Sequence, residues 1–323
     1  MRGHATGPAV KVTGLRKSFK DQVVLDGIDL EIAWGTVFAL LGPNGAGKTT
    51  TVQILATLLA PDAGDVMVGG FDLARQPEGV RRSIGVTGQF SAVDSIFTGE
   101  QNLRLMAELN HLGKAEGQRR TTELLGRFDL ADAARKPVAA YSGGMRRRLD
   151  LAMTLIGDPG IIFLDEPTTG LDPRSRRTMW AIIRELVAGG ITILLTTQDL
   201  DEADELADRI AFLDRGHLVA EGTPAELKAR IPGGHAQLEF RTKAQLAAAA
   251  DALGEGSRDD EALVLRVPID QSLGALTALH QALGDLAPSV ERITVHTPDL
   301  DDVFFALTGS TPATAHESEE ALA

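Results

Sequence analysis

The sequence predicts an α/β fold with a helical subdomain inserted into it and a small α+β domain after it. Three observations lead there. A glycine-rich loop, Gly42-Pro43-Asn44-Gly45-Ala46-Gly47-Lys48-Thr49-Thr50, joins an apolar run to a helical one. Further short apolar runs end in polar residues, as strands leading into a ligand site do in α/β folds. From Phe97 to Ala140 the apolar spacing is helical and no strand interrupts it.

Taken in order, Val10 to Ile32 reads as two short edge strands around a turn, with Ile28, Leu30 and Ile32 alternating against Asp29 and Glu31. Phe19 falls in the turn. An aromatic there either stacks on a nucleotide base or simply packs, and stacking would accept either purine. The guanine-reading Asn-Lys-x-Asp pattern is absent. Val37-Phe38-Ala39-Leu40-Leu41 is a buried strand and Thr49 to Leu59 has helical spacing, so the loop sits between strand and helix. Its glycines let successive backbone N–H groups face phosphate oxygens, and the new helix presents its positive dipole end to the same anion. Lys48 adds a mobile charge for the outer phosphates, and the Thr49 hydroxyl is placed to ligate Mg²⁺. A purely structural turn would not need every fixed position of this phosphate-loop motif filled in a strand–helix setting.

Pro61 to Asp65 is a turn, Val66-Met67-Val68 a strand, and Ile84-Gly85-Val86-Thr87 another that ends in Gly88-Gln89. Gln89 thus stands at a strand terminus, where α/β folds put ligand-contacting groups. Asn102 to Ala107 and Thr121 to Phe128 are the clearest helical stretches of the insertion, which ends at Tyr141-Ser142-Gly143-Gly144-Met145-Arg146-Arg147-Arg148. Ser142 is a good N-cap, and Gly143 and Gly144 expose N–H groups before a helix running to about Ile156. This is either a second anion-binding helix start or a simple cap. Asp158-Pro159-Gly160 breaks the helix, and Ile161-Ile162-Phe163-Leu164 is an apolar strand ending in Asp165-Glu166. Adjacent carboxylates at the end of a buried strand are costly unless a cation or donor meets them. Asp165 is placed for Mg²⁺ or its water shell; Glu166, on the opposite side by strand alternation, is placed to polarise an attacking water. Solvated carboxylates are the plainer alternative. Thr168 to Pro173 turns into a helix with Asp172 as cap, and Ile191 to Leu195 is a further strand closing in Thr196-Thr197-Gln198-Asp199. Gln198 is expected on the same edge as Gln89 and Glu166. The Asp199 to Ala207 helix, the Ile210 to Leu213 strand and Gly222-Thr223-Pro224 finish the core.

Composition narrows the class. At 323 residues the chain is expected to hold about two domains, and 43% hydrophobic residues suffice for a sizeable core. Cysteine is absent, which excludes disulfides, thiol chemistry and Cys-ligated metal. From Pro232 onward there are 5 Lys and Arg against 15 Asp and Glu, so this end carries −10 of the net −13. Nucleic-acid binding through a basic field is disfavoured. Met1 to Pro8 lacks the apolar core of a secretory signal, and no stretch approaches the roughly 20 apolar residues of a membrane span. Any spanning part is expected on another polypeptide.

Together the phosphate loop, Gln89, Ser142-Gly143-Gly144, Asp165-Glu166 and the Asp172 turn, in that order, resemble the ATP-binding subunits of ABC transporters, most closely the daunorubicin-resistance type of bacterial exporter ATPase. The resemblance is strong over about residues 10–230. It implies a P-loop NTPase of the ABC nucleotide-binding type there, with a helical subdomain at about 91–157 and a flexible start at 1–9. It also implies ATP and Mg²⁺ as cofactors and a head-to-tail homodimer, each nucleotide lying between Gly42 to Thr49 of one copy and Ser142-Gly143-Gly144 of the other. In that scheme Lys48 binds the outer phosphates, Thr49 and Gln89 contact the metal, Asp165 supports it, Glu166 orients the water and Asp172 touches the second copy. The implied setting is the cytoplasmic face of the cell membrane, peripheral to a separate multi-span permease. Two departures stand out. Met145 and Tyr141 replace the Gln and Leu of the general signature, which leaves the backbone donors intact. Gln198 occupies the place of a His that usually contacts the γ-phosphate; a carboxamide donates to phosphate but carries no charge, so slow basal hydrolysis is expected.

Residues 236–296 alternate strand-like and helical runs, Leu238 to Phe240, Ala244 to Leu253, Leu263 to Val267, Leu273 to Leu283 and Ile293 to Val295. That order predicts a small α+β accessory or dimerisation domain at about 235–309. Pro298 to Gly309 reads as its capped amphipathic end helix, with Leu300, Val303, Phe304 and Leu307 on one face, docking on its own domain or on the second copy, with a membrane subunit as the lesser alternative. The Ala- and Glu-rich residues 310–323 are expected to be disordered. The leading function is an ATPase that energises export of a small hydrophobic compound, with the region from Ser91 to Ala140 receiving the permease. A soluble ABC-type ATPase acting on DNA or the ribosome is the alternative. Such proteins usually carry two cassettes or a long coiled coil between loop and signature, whereas here 94 positions separate Lys48 from Ser142. A nucleotide sensor without turnover would need Glu166 to be silent.

Overall fold

In the computed structural model, which describes residues 7–88, 92–230, 234–254, 256–269, 273–296 and 298–308, the chain divides into two units, Met1–Pro224 and Ala225–Ala323. The first unit opens with β1 (Val10–Phe19) and β2 (Gln22–Ile32), followed by β3 (Val37–Leu41), the glycine-rich loop and α1 (Lys48–Leu55). Then come β4 (Ala63–Val68), β5 (Phe71–Asp72), α2 (Pro77–Ser83) and β6 (Ile84–Thr87). The helical insertion holds α3 (Gly99–Leu109) and α4 (Lys114–Arg127), and the chain returns through α5 (Gly143–Thr154). Thr98 starts α3 with a capping box to Gln101, which satisfies two amides at the insertion's entry. After it run β7 (Ile161–Asp165), α6 (Pro173–Ala188), β8 (Thr192–Thr197), α7 (Leu200–Leu206), β9 (Arg209–Asp214) and β10 (His217–Gly222); the short α8 (Pro224–Lys228) starts on the last residue of this unit and otherwise falls in the second.

A six-stranded sheet has the order β10-β9-β3-β8-β7-β6, in which all neighbours are parallel except β10 against β9. Strands β3, β7 and β8 are buried along their whole length, which is why β3 appears in the sequence as an unbroken apolar run, β7 as one up to Asp165, and β8 as Ile193 to Leu195 between threonines. The register aligns the strand ends: Leu41 lies opposite both Thr197 and Phe212, Asp165 opposite Thr196, and Thr87 opposite Leu164. Four C-terminal strand ends therefore form one edge. A second, antiparallel sheet has the order β2-β1-β4-β5, and one core joins residues of both sheets and α1, among them Leu15, Leu25, Ile54, Phe163 and Leu194.

Three expectations for this unit need correction. β1 and β2 are long strands of 10 and 11 residues, and β1 is interior, paired with both β2 and β4. Register shifts between Val12 and Leu15 and between Lys17 and Ser18 break the alternation that would have shown their length. Between β9 and the Gly222-Thr223-Pro224 end of the core lies a strand that was not expected: Arg215 and Gly216, at φ 46° and 81°, make a two-residue reversal into β10. Ala9, at the edge of the expected flexible start, is buried and bonded to Ile32 and Gly69.

The second unit contains β11 (His235–Phe240), α9 (Lys243–Leu253), β12 (Ser257–Asp259), β13 (Val264–Pro268), α10 (Leu273–Leu283), β14 (Val290–His296) and α11 (Leu300–Thr308). Its antiparallel sheet has the order β12-β13-β11-β14. Ala236, Leu238 and Phe240 alternate inward and form a core with Leu246 and Ala249 of α9 and Leu279 and Leu283 of α10. On α11, Leu300, Val303 and Phe304 are buried, but Leu307, expected on the same face, is 37% exposed. It lies one turn further along, at the end of a nine-residue helix. The expected tail at 310–323 lies outside the described residues. Among the described residues no helix is long and apolar enough to cross a membrane.

Candidate active site

The phosphate loop is fixed at both ends by close approach. A Cβ at Gly42 would collide with the Leu213 carbonyl oxygen at the end of β9, and one at Gly47, φ 112°, would lie 2.6 Å from Leu25 Cδ2. Gly47 is also the N-cap of α1 and offers no side chain, so the protein leaves the first amides of the helix uncapped. Between them Ala46 is buried, Pro43 half-buried, and Asn44 and Gly45 exposed; beyond Gly47, Thr49 is exposed and Thr50 half-buried. The Lys48 ammonium is buried and donates to the Gly42 carbonyl at 2.6 Å and the Pro43 carbonyl at 3.0 Å. Burial pushes its pKa below the ordinary value, and the nearby Glu166 and Asp165 carboxylates work in the other direction.

Asp165, the last residue of β7, is 3% exposed and accepts hydrogen bonds from the Thr49 hydroxyl at 3.3 Å and from the Thr196 hydroxyl. One carboxylate thereby receives groups from α1 and β8. Glu166 does not continue the strand alternation that was expected to place it. The strand ends at Asp165, and Glu166 has φ 48°, its amide donating to the carbonyl of Thr196 at 3.1 Å and to its hydroxyl at 3.2 Å. The left-handed backbone, which costs a non-glycine residue about 1–3 kcal/mol, is what sets the direction of this side chain. The Thr169 hydroxyl donates to Glu166 Oε2 at 3.3 Å.

Three contributors escaped the sequence reading. Thr196 was visible only as one of several polar residues at a strand end. Arg147 appears in the sequence only as one of three consecutive arginines, yet its side chain is only 11% exposed. Glu202 belongs to the acidic start of α7 but is 1% exposed, accepting from the Thr168 hydroxyl at 2.8 Å and the Trp180 indole N–H at 3.3 Å. Burial, with the Asp199 carboxylate, pushes the Glu202 carboxyl above its ordinary pKa against the pull of these donors.

Lys48, Thr49, Asp165 and Glu166 are brought together; the other candidates make their described contacts elsewhere. Ser142 caps α5, its hydroxyl accepting from the Met145 amide at 3.2 Å, and with Gly143 is exposed. Asp172 caps α6, accepting from the amides of Arg174 and Ser175 at 3.0 and 2.9 Å and from the Ser175 hydroxyl at 2.6 Å. These bonds, the Ser175 hydroxyl first, hold its carboxyl below the usual range. No described hydrogen bond joins Ser142, Gly143, Gly144 or Asp172 to the loop. Gln198 is exposed immediately after β8, and Phe19 ends β1 46% exposed with the Lys17 ammonium 5.6 Å from its ring centroid. Gln89 lies outside the described residues. A cleft of about 540 Å³ runs between insertion and core, lined by Arg81 and Arg82 of α2, Met106 and Leu109 of α3, and Asp150 and Met153 of α5.

Residues 25–169 match the model of a family described as ABC transporter. The chain is 49% identical over 303 residues to a daunorubicin resistance ATP-binding protein of Streptomyces coeruleorubidus, covering 93% of this chain and 96% of that protein. It is 44% identical over 318 residues to a daunorubicin/doxorubicin resistance ATP-binding protein of Streptomyces peucetius, covering 97% and 96%. Among solved structures it is similar to an ATP-binding subunit of an ABC transporter, with TM-score 0.62 and 31% identity over 69% of this chain and 92% of that one. A dimeric post-hydrolysis ATP-binding cassette, MJ0796 bound to ADP and Pi, gives TM-score 0.61 and 26% identity over 66% and 98%.

Proposed function

Because this chain belongs to the family of ABC transporter ATP-binding subunits, we propose that its ATP hydrolysis drives export of a small hydrophobic compound, a drug or natural product, through a separate membrane permease. The observation that carries the reading is the convergence of Lys48, Thr49, Asp165 and Glu166 on the C-terminal edge of one sheet. The uncapped amides of α1 and the Lys48 ammonium hold the outer phosphates of ATP. Glu166, fixed by Thr196 and Thr169, takes hydrogen bonds from the attacking water and orients it. Gln198 donates its carboxamide N–H to the γ-phosphate.

The Thr49 hydroxyl and Asp165 carboxylate fit Mg²⁺. Both are hard oxygen donors, and their 3.3 Å separation suits neighbouring positions of an octahedron, roughly 3 Å apart at bonds of about 2.1 Å. When bound, the ion neutralises charge on the phosphate oxygens; Gln89 is its further proposed contact. A second copy supplies Ser142, Gly143 and Gly144 from the opposite side, and Asp172 meets that copy. The exposure of Ser142 and Gly143 supports this arrangement. Phe19 is the proposed stacking partner of the base. The cleft beneath the insertion receives the permease, which puts the protein peripherally on the cytoplasmic face of the membrane. Residues 10–230 form the ATPase domain in this scheme and 235–309 an accessory domain. Co-expression with the permease tests the reading: a complex whose ATPase is stimulated by a hydrophobic drug supports it, and a complex in which Glu166→Gln leaves drug export intact contradicts it.

A further inference from the structure

Arg147 stands five residues after Ser142 and makes five contacts, matching the five N–H donors of its guanidinium. Nε donates to the Pro167 carbonyl at 2.9 Å, and Nη2 to the carbonyls of Asp165 and Glu166 at 3.0 and 3.1 Å. Nη1 donates to the Gly88 carbonyl at 3.0 Å and to Asp150 Oδ2 at 3.5 Å. A buried guanidinium is costly unless its donors are met, and here four of the five acceptors are main-chain carbonyls. Three of those belong to the consecutive residues Asp165, Glu166 and Pro167. Thr196 fixes the amide side of Glu166 and Arg147 the carbonyl side, so the left-handed backbone at φ 48° is held from both directions.

The neighbouring arginines go elsewhere. Arg146 donates to the Ala139 carbonyl at 3.1 Å, and Arg148 to the Phe128 carbonyl at 2.9 Å and the Asp129 carboxylate at 3.0 Å. Asp150, the carboxylate partner of Arg147, also accepts from the Ala92 amide at 3.3 Å and lines the cleft beneath the insertion. The helix that begins at Ser142 is therefore bonded to the insertion through Arg146 and Arg148 and to the Asp165–Pro167 backbone through Arg147.

We propose that Arg147 is a positioning residue for ATP hydrolysis: by clamping the carbonyls of Asp165, Glu166 and Pro167 from α5, it makes the aim of the Glu166 carboxylate depend on where that helix and the attached insertion sit. The proposal rests on Glu166 being the water-orienting group. A misplaced reacting group can cost up to about 10² in rate. Arg147→Lys keeps a positive charge opposite Asp150 but donates from a single nitrogen, which does not span four carbonyls.

The test is a double-mutant cycle on the purified full-length chain, with kcat and KM for Mg-ATP in the wild-type background and single-turnover rates in the Glu166→Gln background. Arg147→Lys is expected to lower kcat about tenfold or more while KM changes less than about twofold, since Lys48 and the loop are untouched. With Glu166→Gln already present, it is expected to lower the remaining rate less than about twofold, because the group it aims is gone. Wild-type kcat in Arg147→Lys, or the full loss persisting beside Glu166→Gln, overturns the clamp. Wild-type turnover by Glu166→Gln alone instead overturns the assignment of Glu166, a distinct result. Should Arg147→Lys fail to fold, Arg147→Gln replaces it under the same criteria.

Discussion

Glu202→Ala and Glu202→Gln, compared across pH, probe the polar cluster beside β7 and β8. The alanine variant removes the acceptor of the Thr168 hydroxyl and the Trp180 indole N–H, both lying against a carboxyl that is 1% exposed. A buried donor left unpaired costs about 1–3 kcal/mol, so the two set a loss of about 2–6 kcal/mol. The glutamine variant keeps the shape and an acceptor oxygen while removing the ionisation. Burial raises the Glu202 pKa, Asp199 adds to the shift, and Thr168, Thr197 and Trp180 oppose it; Arg147 is a cation that senses this carboxyl. Below the ordinary value of 4.5 both folded and unfolded chains hold the proton, and Glu202 contributes no pH dependence. Above it the unfolded chain releases its proton first, so folding stability falls as pH rises until the folded group also ionises. Urea unfolding at pH 5 and pH 8 is the assay. Glu202→Gln is expected to gain on the wild type as pH rises, and Glu202→Ala to be less stable at both values. If the wild type gains on Glu202→Gln between pH 5 and 8, Glu202 is held ionised by a cation and the reasoning fails.

Glu166→Gln keeps an acceptor for the Thr169 hydroxyl and should bind ATP normally while turning over about 10² to 10⁴ more slowly, roughly 3–5 kcal/mol; an unchanged rate contradicts its role. Gln198→His places a titrating ring at the end of β8, so its pH–rate profile should acquire an inflection near about 6.5. Unchanged rate and ATP affinity would count against a γ-phosphate contact there. Phe304→Asp puts a carboxylate where a side chain is 7% exposed, and should destabilise the second unit or its dimer by about 3–5 kcal/mol, read by thermal unfolding and sedimentation. Wild-type behaviour in both would show that this face of α11 holds nothing together.

What the sequence disclosed is what depends on neighbours along the chain. Strands buried on both faces leave continuous apolar runs, which is how Val37–Leu41 and Ile161–Asp165 were legible. The caps at Ser142 and Asp172 are local too, each bonding within three residues. The features it hid depend on contacts far apart in sequence. β1 looked like an edge because its bulges interrupt the alternation, and its place between β2 and β4 is a tertiary fact. Glu166 was assigned a direction by alternation, but its φ of 48° is imposed by Thr196, thirty residues later. Arg147 differs from Arg146 and Arg148 only in what surrounds it, and Glu202, beside the exposed Asp201, shows its burial only in the fold. The pairing of loop and signature across two copies came from family resemblance, and no described hydrogen bond joins the two within one chain.

Subunit complementation tests that pairing most directly. Lys48→Ala breaks the loop side and Ser142→Arg the signature side, so either variant alone forms dimers with both shared sites broken and should be inactive. In an equal mixture half the dimers combine the two chains, and each of those has one intact site, so about a quarter of wild-type ATPase should return. A mixture as inactive as its components would place the whole site within one chain and contradict the account.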